Sequence, residues 1–141
     1  MSYLEIPSKE LAGMAASLSN GLATNPVGLA NGFSFDADLK VGKKVPLKIT
    51  FTDFDIETGE LIFELALNSS NKFFAKSIKT ILKAFGKIFS KFELPDGVEL
   101  DGQYIYISTE ELASELGLEI NVKKVLFESK KMKIYFEVEY D

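Results

Sequence analysis

Residues 72–92, KFFAKSIKTILKAFGKIFSKF, hold six lysines and no acid, with an apolar residue at nearly every position that one helical face would bury. At about 100° per residue, Phe74, Ile78, Ile81, Leu82, Phe85, Ile88, Phe89 and Phe92 fall within an arc of roughly 120°, and Lys72, Lys76, Lys79, Lys83, Lys87 and Lys91 occupy the opposite side. This spacing predicts a basic amphipathic helix about 30 Å long. The fold expected from it is α+β: a curved antiparallel sheet packed on one long amphipathic helix, with two short helices besides. Charge is consistent with such packing. The whole chain carries −5, so the six lysines leave −11 for the remainder, and the two parts attract.

Working outward, the chain matches itself. Tyr3-Leu4-Glu5-Ile6-Pro7-Ser8-Lys9-Glu10-Leu11-Ala12 aligns with Tyr104-Ile105-Tyr106-Ile107-Ser108-Thr109-Glu110-Glu111-Leu112-Ala113, and both read as strand, cap, helix. Ser108 and Glu111 have capping-box spacing, and Ser8 is the expected cap of the first copy. Leu61-Ile62-Phe63-Glu64-Leu65-Ala66-Leu67 and Ile134-Tyr135-Phe136-Glu137-Val138-Glu139-Tyr140 share a second pattern, each closing a hairpin with period-two alternation. These matches fit an internal strand–helix–hairpin duplication and fit equally the chance likeness of short alternating strands, since the spacing differs between the copies. Strands are expected at 3–6, 33–39, 45–54, 60–67, 103–107, 119–127 and 132–140, and helices at 9–18, 72–92 and 109–116. Residues 19–32, rich in glycine, read as a loop whose Leu22, Val27 and Leu29 suit an inward-facing flap. The expected core joins the apolar face of the long helix to Phe51, Phe63, Leu65, Phe127, Ile134, Phe136 and Val138.

Composition narrows the function. At 141 residues and 46% hydrophobic, the chain suits one domain, 1–141, with its own core. Histidine and cysteine are absent, which removes the side chain that titrates near neutrality, the thiolate nucleophile and the commonest ligands of transition metals. There is no arginine either, and no basic stripe outside residues 72–92, so nucleic acid is set aside as a partner. The start, MSYLEIPSKE, has neither a signal-peptide pattern nor a membrane span. The chain as given reads as soluble; the extracytoplasmic part of an anchored bacterial protein fits equally.

Asp53, Asp55 and Glu57 alternate ahead of Gly59, faintly like a calcium loop. The glycine falls one place late, however, and the segment lies between strands rather than helices. They are read instead as carboxylates decorating an exposed hairpin end, and no nucleophile or oxyanion site accompanies them. The expectation is therefore no enzyme, no catalytic residue, no metal and no cofactor. Asn68-Ser69-Ser70 fits a glycosylation sequon but is read as the run-in to a helix cap.

Three features together resemble bacterial members of the tubular lipid-binding (BPI-like) superfamily: Tyr104 to Ala113 with the hairpin after it, Leu94-Pro95-Asp96-Gly97-Val98 following an amphipathic helix, and the doubling. In that family a strongly curved sheet wraps a long helix around an apolar lumen that holds lipid. The resemblance implies a non-enzymatic domain that binds an apolar ligand or lipid between helix and sheet. Phe74, Ile78, Ile81, Phe85, Phe89 and Phe92 would line the ligand, and the lysines would suit a membrane surface. The alternative is a structural or protein-interaction domain with a packed core and no ligand.

Overall fold

The computed structural model describes residues 2–18, 21, 23–38, 44–68, 96–115 and 117–138. Along the chain run β1 (Ser2–Pro7), α1 (Ser8–Leu18), β2 (Ala23–Leu29), β3 (Gly32–Asp38), β4 (Lys44–Asp55), β5 (Glu60–Leu67), β6 (Val98–Asp101), β7 (Tyr104–Ser108), α2 (Thr109–Glu115), β8 (Ile120–Glu128) and β9 (Lys131–Val138). Two antiparallel sheets result, one of six strands in the order β2-β3-β4-β5-β7-β6 and one of three in the order β1-β9-β8.

This corrects the α+β expectation. The described residues are mostly strand, with two short helices and no long one, and the sheet is two sheets rather than a single curved one. Residues 72–92, on which the expected class was weighted, lie outside the described residues. What covers the apolar faces here is sheet against sheet, with α1 added over β2 and β3. In the large sheet Val45, Leu47 and Ile49 on β4 stand opposite Ala37, Phe35 and Phe33 on β3, and Leu65, Phe63 and Leu61 on β5 stand opposite Ile49, Phe51 and Phe54 of β4. Alternation sends these inward, as period two requires. Val122, Val125 and Met132 of the small sheet belong to the same apolar cluster, and the Phe51 ring lies 6.1 Å from Phe127 across the two sheets. Each fully buried aliphatic or aromatic side chain contributes about 1.5–3 kcal/mol. Phe63 and Leu65 are buried as expected, whereas Phe51, Phe127, Ile134, Phe136 and Val138 are only partly buried.

Two further corrections have local causes. Much of the expected 19–32 loop is strand β2, which periodicity misses because Asn25 (φ 52°) and Pro26 form a bulge opposite β3 between Thr24 and Val27. Gly28 on that strand meets the start of α1 so closely that a methyl there would stand 2.7 Å from the Lys9 nitrogen. Ser8 does not cap α1. It is fully buried, and its hydroxyl donates instead to the carbonyls of Leu29 and Lys130, at 2.7 and 2.8 Å. At α2 the capping geometry does form, with the Glu111 amide donating to Ser108 Oγ at 3.3 Å. That helix closes with Leu118 N–H on the Ala113 carbonyl and Gly117 N–H on that of Ser114, Gly117 taking a φ of 73°.

Candidate functional site

The matched segments hold equivalent places, but the halves exchange partners. β1 pairs with β9, the last strand of the second half, and β7 pairs with β5, the last strand of the first hairpin. Leu4 lies opposite Ile134 and Ile105 opposite Phe63, so the two pairings are offset by two residues from the match of Leu61 with Ile134. The residue after each strand anchors it in the same way: Ser8 gives N–H and hydroxyl to the Lys130 carbonyl (2.8 and 2.8 Å), and Thr109 gives both to the Gly59 carbonyl (3.0 and 2.6 Å). Each hairpin turn is thus clamped by the strand–helix junction of the opposite half. The clamp matters most at Ser129 and Lys130, which carry φ of 52° and 62° without being glycine, a costly conformation outside a two-residue hairpin turn.

One difference separates the halves. The second edge of β7 is occupied by β6, with Val98 opposite Ile107 and Leu100 opposite Ile105. The corresponding edge of β1 faces no strand among the described residues. Other edges carry recognisable guards. β2 has its bulge and Pro26; β6 has four residues, two of them Glu99 and Asp101; β8 has a register shift between Val122 and Lys124 with lysines at it. Such features discourage edge pairing. β1 runs six residues in unbroken register, and its guards are a single charge, Glu5, and Pro7 at its end. Tyr3 and Leu4 are each 47% exposed, the one on the outer face and the other on the core face.

Parity identifies which groups point off this edge. The Ser8 amide bonds Lys130, and in an antiparallel ladder hydrogen-bonded pairs alternate, so the main-chain groups of Ile6 and Leu4 face β9 and those of Tyr3 and Glu5 face outward. The same holds on β7, where the Ser108 amide reaches across to the Gly97 carbonyl at 2.7 Å.

On the outer face of this edge the Tyr3 ring packs on Tyr135, centroids 5.0 Å apart, and its hydroxyl donates to Glu5. That bond, joined by the charges of Lys131 and Lys133, holds the Glu5 carboxyl below its ordinary range. Tyr3 is pushed up to about 12, first by the same bond and then by desolvation and the negative charge of Glu5. Lys131 Nζ stands 3.8 Å from Glu5, and Lys133 Nζ 3.1 Å from Glu128, whose hydrogen bond raises the Lys133 pKa. Because Glu5 is depressed, any stability from the pair is present above its ordinary value of 4.5 and is lost as pH falls through the folded value. Exposure keeps that contribution small. Tyr3→Phe removes the donor, so the Glu5 carboxyl followed by NMR should titrate closer to the ordinary range; an unmoved curve means the pair does not form in solution.

The residues expected to bind a ligand, Phe74, Ile78, Ile81, Phe85, Phe89 and Phe92, all lie outside the described residues. Of the acidic trio, Asp55 accepts from the amides of Glu57 and Thr58 (2.9 and 3.4 Å) and Asp53 from that of Phe54 (2.8 Å), so two of the carboxylates serve the local backbone. Among the described residues no group of histidine, cysteine, aspartate or glutamate is placed to hold a metal, and no helix is long and apolar enough to cross a membrane. The alignment of Tyr3 to Pro7 with Tyr104 to Ser108 does not reveal that, among the described residues, the edge of β1 has no neighbouring strand. The available signal was Val98-Glu99-Leu100-Asp101 with the turn Gly102-Gln103, an alternating hairpin arm beside the second copy alone. Comparison with protein-family models, curated proteins and solved structures finds no match to this chain, and so bears neither way on the resemblance to the tubular lipid-binding superfamily.

Proposed function

We propose that this chain is a non-catalytic protein-interaction domain whose docking element is the edge of β1, which accepts an extended strand by sheet augmentation. The observation that carries the reading is the edge of β1, which no strand among the described residues occupies, where the equivalent edge of β7 is filled by β6. The apolar-ligand reading rests instead on residues 72–92, outside the described structure.

The internal pairing specifies the incoming strand. It runs antiparallel, with apolar residues opposite Ile6 and Leu4, as Val98 and Leu100 stand opposite Ile107 and Ile105. Opposite Glu5 it takes a neutral or basic residue, since like charges directly across a pair are destabilising. A peptide with the sequence of residues 97–102 and lysine in place of Glu99 is a suitable probe. Added to isotope-labelled domain, it should shift and protect the amides of Tyr3 and Glu5, and a scrambled peptide should not. Saturable binding that leaves both amides unmoved, or no response at millimolar peptide, overturns the reading.

A further inference from the structure

We infer that the strand seated on this edge is β1 of a second copy, in an antiparallel two-fold pair centred on Leu4. The inference rests on the β1 edge being the docking element and goes on to name its occupant. Three constraints narrow the register to a centre on Tyr3 or Leu4, and only a centre on Leu4 faces the two outward residues, Tyr3 and Glu5, with one another. The outward main-chain groups belong to Tyr3 and Glu5, so hydrogen-bonded pairs must be made between odd-numbered residues. Centring on Glu5 would set two carboxylates against each other and face Tyr3 with Pro7, which has no N–H to give. Centring on Leu4 pairs Tyr3 with the partner's Glu5, and Glu5 with the partner's Tyr3, in two reciprocal hydrogen-bonded pairs.

Side chains agree with this register. Glu5 stands opposite Lys133 on β9, and Tyr3 opposite Tyr135. Across the joined sheets one outer row therefore reads Lys133, Glu5, the partner's Tyr3, the partner's Tyr135, and the two-fold repeats it in reverse. Each carboxylate gains a phenol on its open side and keeps its lysine neighbour. On the core face Leu4, 47% exposed in the single chain, meets the partner's Leu4 and extends the apolar row begun by Ile134. The two small sheets become one of six strands, the strand number of the large sheet. Like net charge on the two copies opposes association, so the pairing is strongest where salt screens it, at physiological ionic strength or above.

Cysteine substitution tests both occupant and register, because the chain has no cysteine of its own. Leu4 would face its own copy as a non-hydrogen-bonded pair with Cα atoms about 4.5 Å apart, within disulfide reach. Under mild oxidation of the otherwise intact chain, Leu4→Cys should form covalent dimer about tenfold or more faster than Tyr3→Cys or Glu5→Cys alone, since pre-positioned thiols react as an intramolecular pair. A mixture of Tyr3→Cys and Glu5→Cys should link to each other. Glu5→Pro, which removes an outward N–H and the exposed Glu5 carboxylate but no main-chain bond to β9, should leave the fold intact by circular dichroism and abolish dimer in sedimentation of the cysteine-free protein. Equal rates at all three positions, fastest self-linking at position 3 or 5, or a monomer at millimolar concentration overturns the inference. In those outcomes the peptide titration decides separately whether the edge docks anything: shifts at Tyr3 and Glu5 keep the docking reading and discard only the second copy.

Discussion

Gly32→Ala should lose about 3 kcal/mol or more of folding stability, at or beyond the upper end of what overpacking costs. Gly32 opens β3 directly opposite Thr50 of β4, and a methyl built on it would stand 2.0 Å from the Ile49 carbonyl oxygen and 2.9 Å from the Thr50 Cα. Both obstacles are backbone, so no side-chain rotation relieves them and the β3–β4 ladder must part at its end. The Phe51 amide, bonded at 2.8 Å to the Asn31 carbonyl, would be disturbed with it. Gly13→Ala is the matched control: nothing lies within 4 Å of its would-be Cβ, and in mid-helix the change should add about 0.5–1 kcal/mol. The same methyl thus has opposite signs at the two sites. Urea denaturation measures both, and a loss below about 1 kcal/mol at Gly32 would show that β3 and β4 are not in this register.

Most strands were legible in the sequence because their faces are unequal. Glu60–Leu67 alternates buried and half-buried residues through Ala66, and Lys44–Asp55 does so through Ile49, so period two finds both within a residue or two of their ends. Strand β2 was not legible, since Asn25 and Pro26 replace the alternation with a bulge that only the pairing with β3 makes intelligible. Class was misjudged for a different reason. An amphipathic segment states that one face is to be buried but not against what, and the described strands bury theirs on one another and on α1. The serine at position 8 shows the same limit at one residue. A serine ahead of Lys-Glu-Leu has the chemistry of a cap, yet its hydroxyl is held by carbonyls 21 and 122 residues away along the chain. The β1 edge, which no strand among the described residues occupies, was least legible, because an edge is a property of what lies beside a strand.

Leu47→Ala should cost about 3–5 kcal/mol, the range for a fully enclosed leucine whose surroundings collapse only partly. Leu47 has no exposed surface and stands mid-sheet, between Phe35 on β3 and Leu67 on β5. Neighbours on both sides are held by ladder hydrogen bonds, which limits how far the backbone can move to fill the space. Against a total stability of about 5–15 kcal/mol, such a loss brings a domain of this size close to unfolding at room temperature. With a urea slope of about 1–3 kcal/mol per molar, the midpoint should fall by about 2 M at unchanged slope. Ile56→Ala, at a turn position 65% exposed, should stay within about 0.5 kcal/mol of the parent. A loss below about 1 kcal/mol at Leu47 would mean that its site is filled from elsewhere or that the centre of the core lies off β4. A lowered slope together with the loss would point to a native state already loosened there. In that case the β1 edge, carried on the small sheet and joined to β4 through Phe51 and Phe127, should lose its ordered register as well.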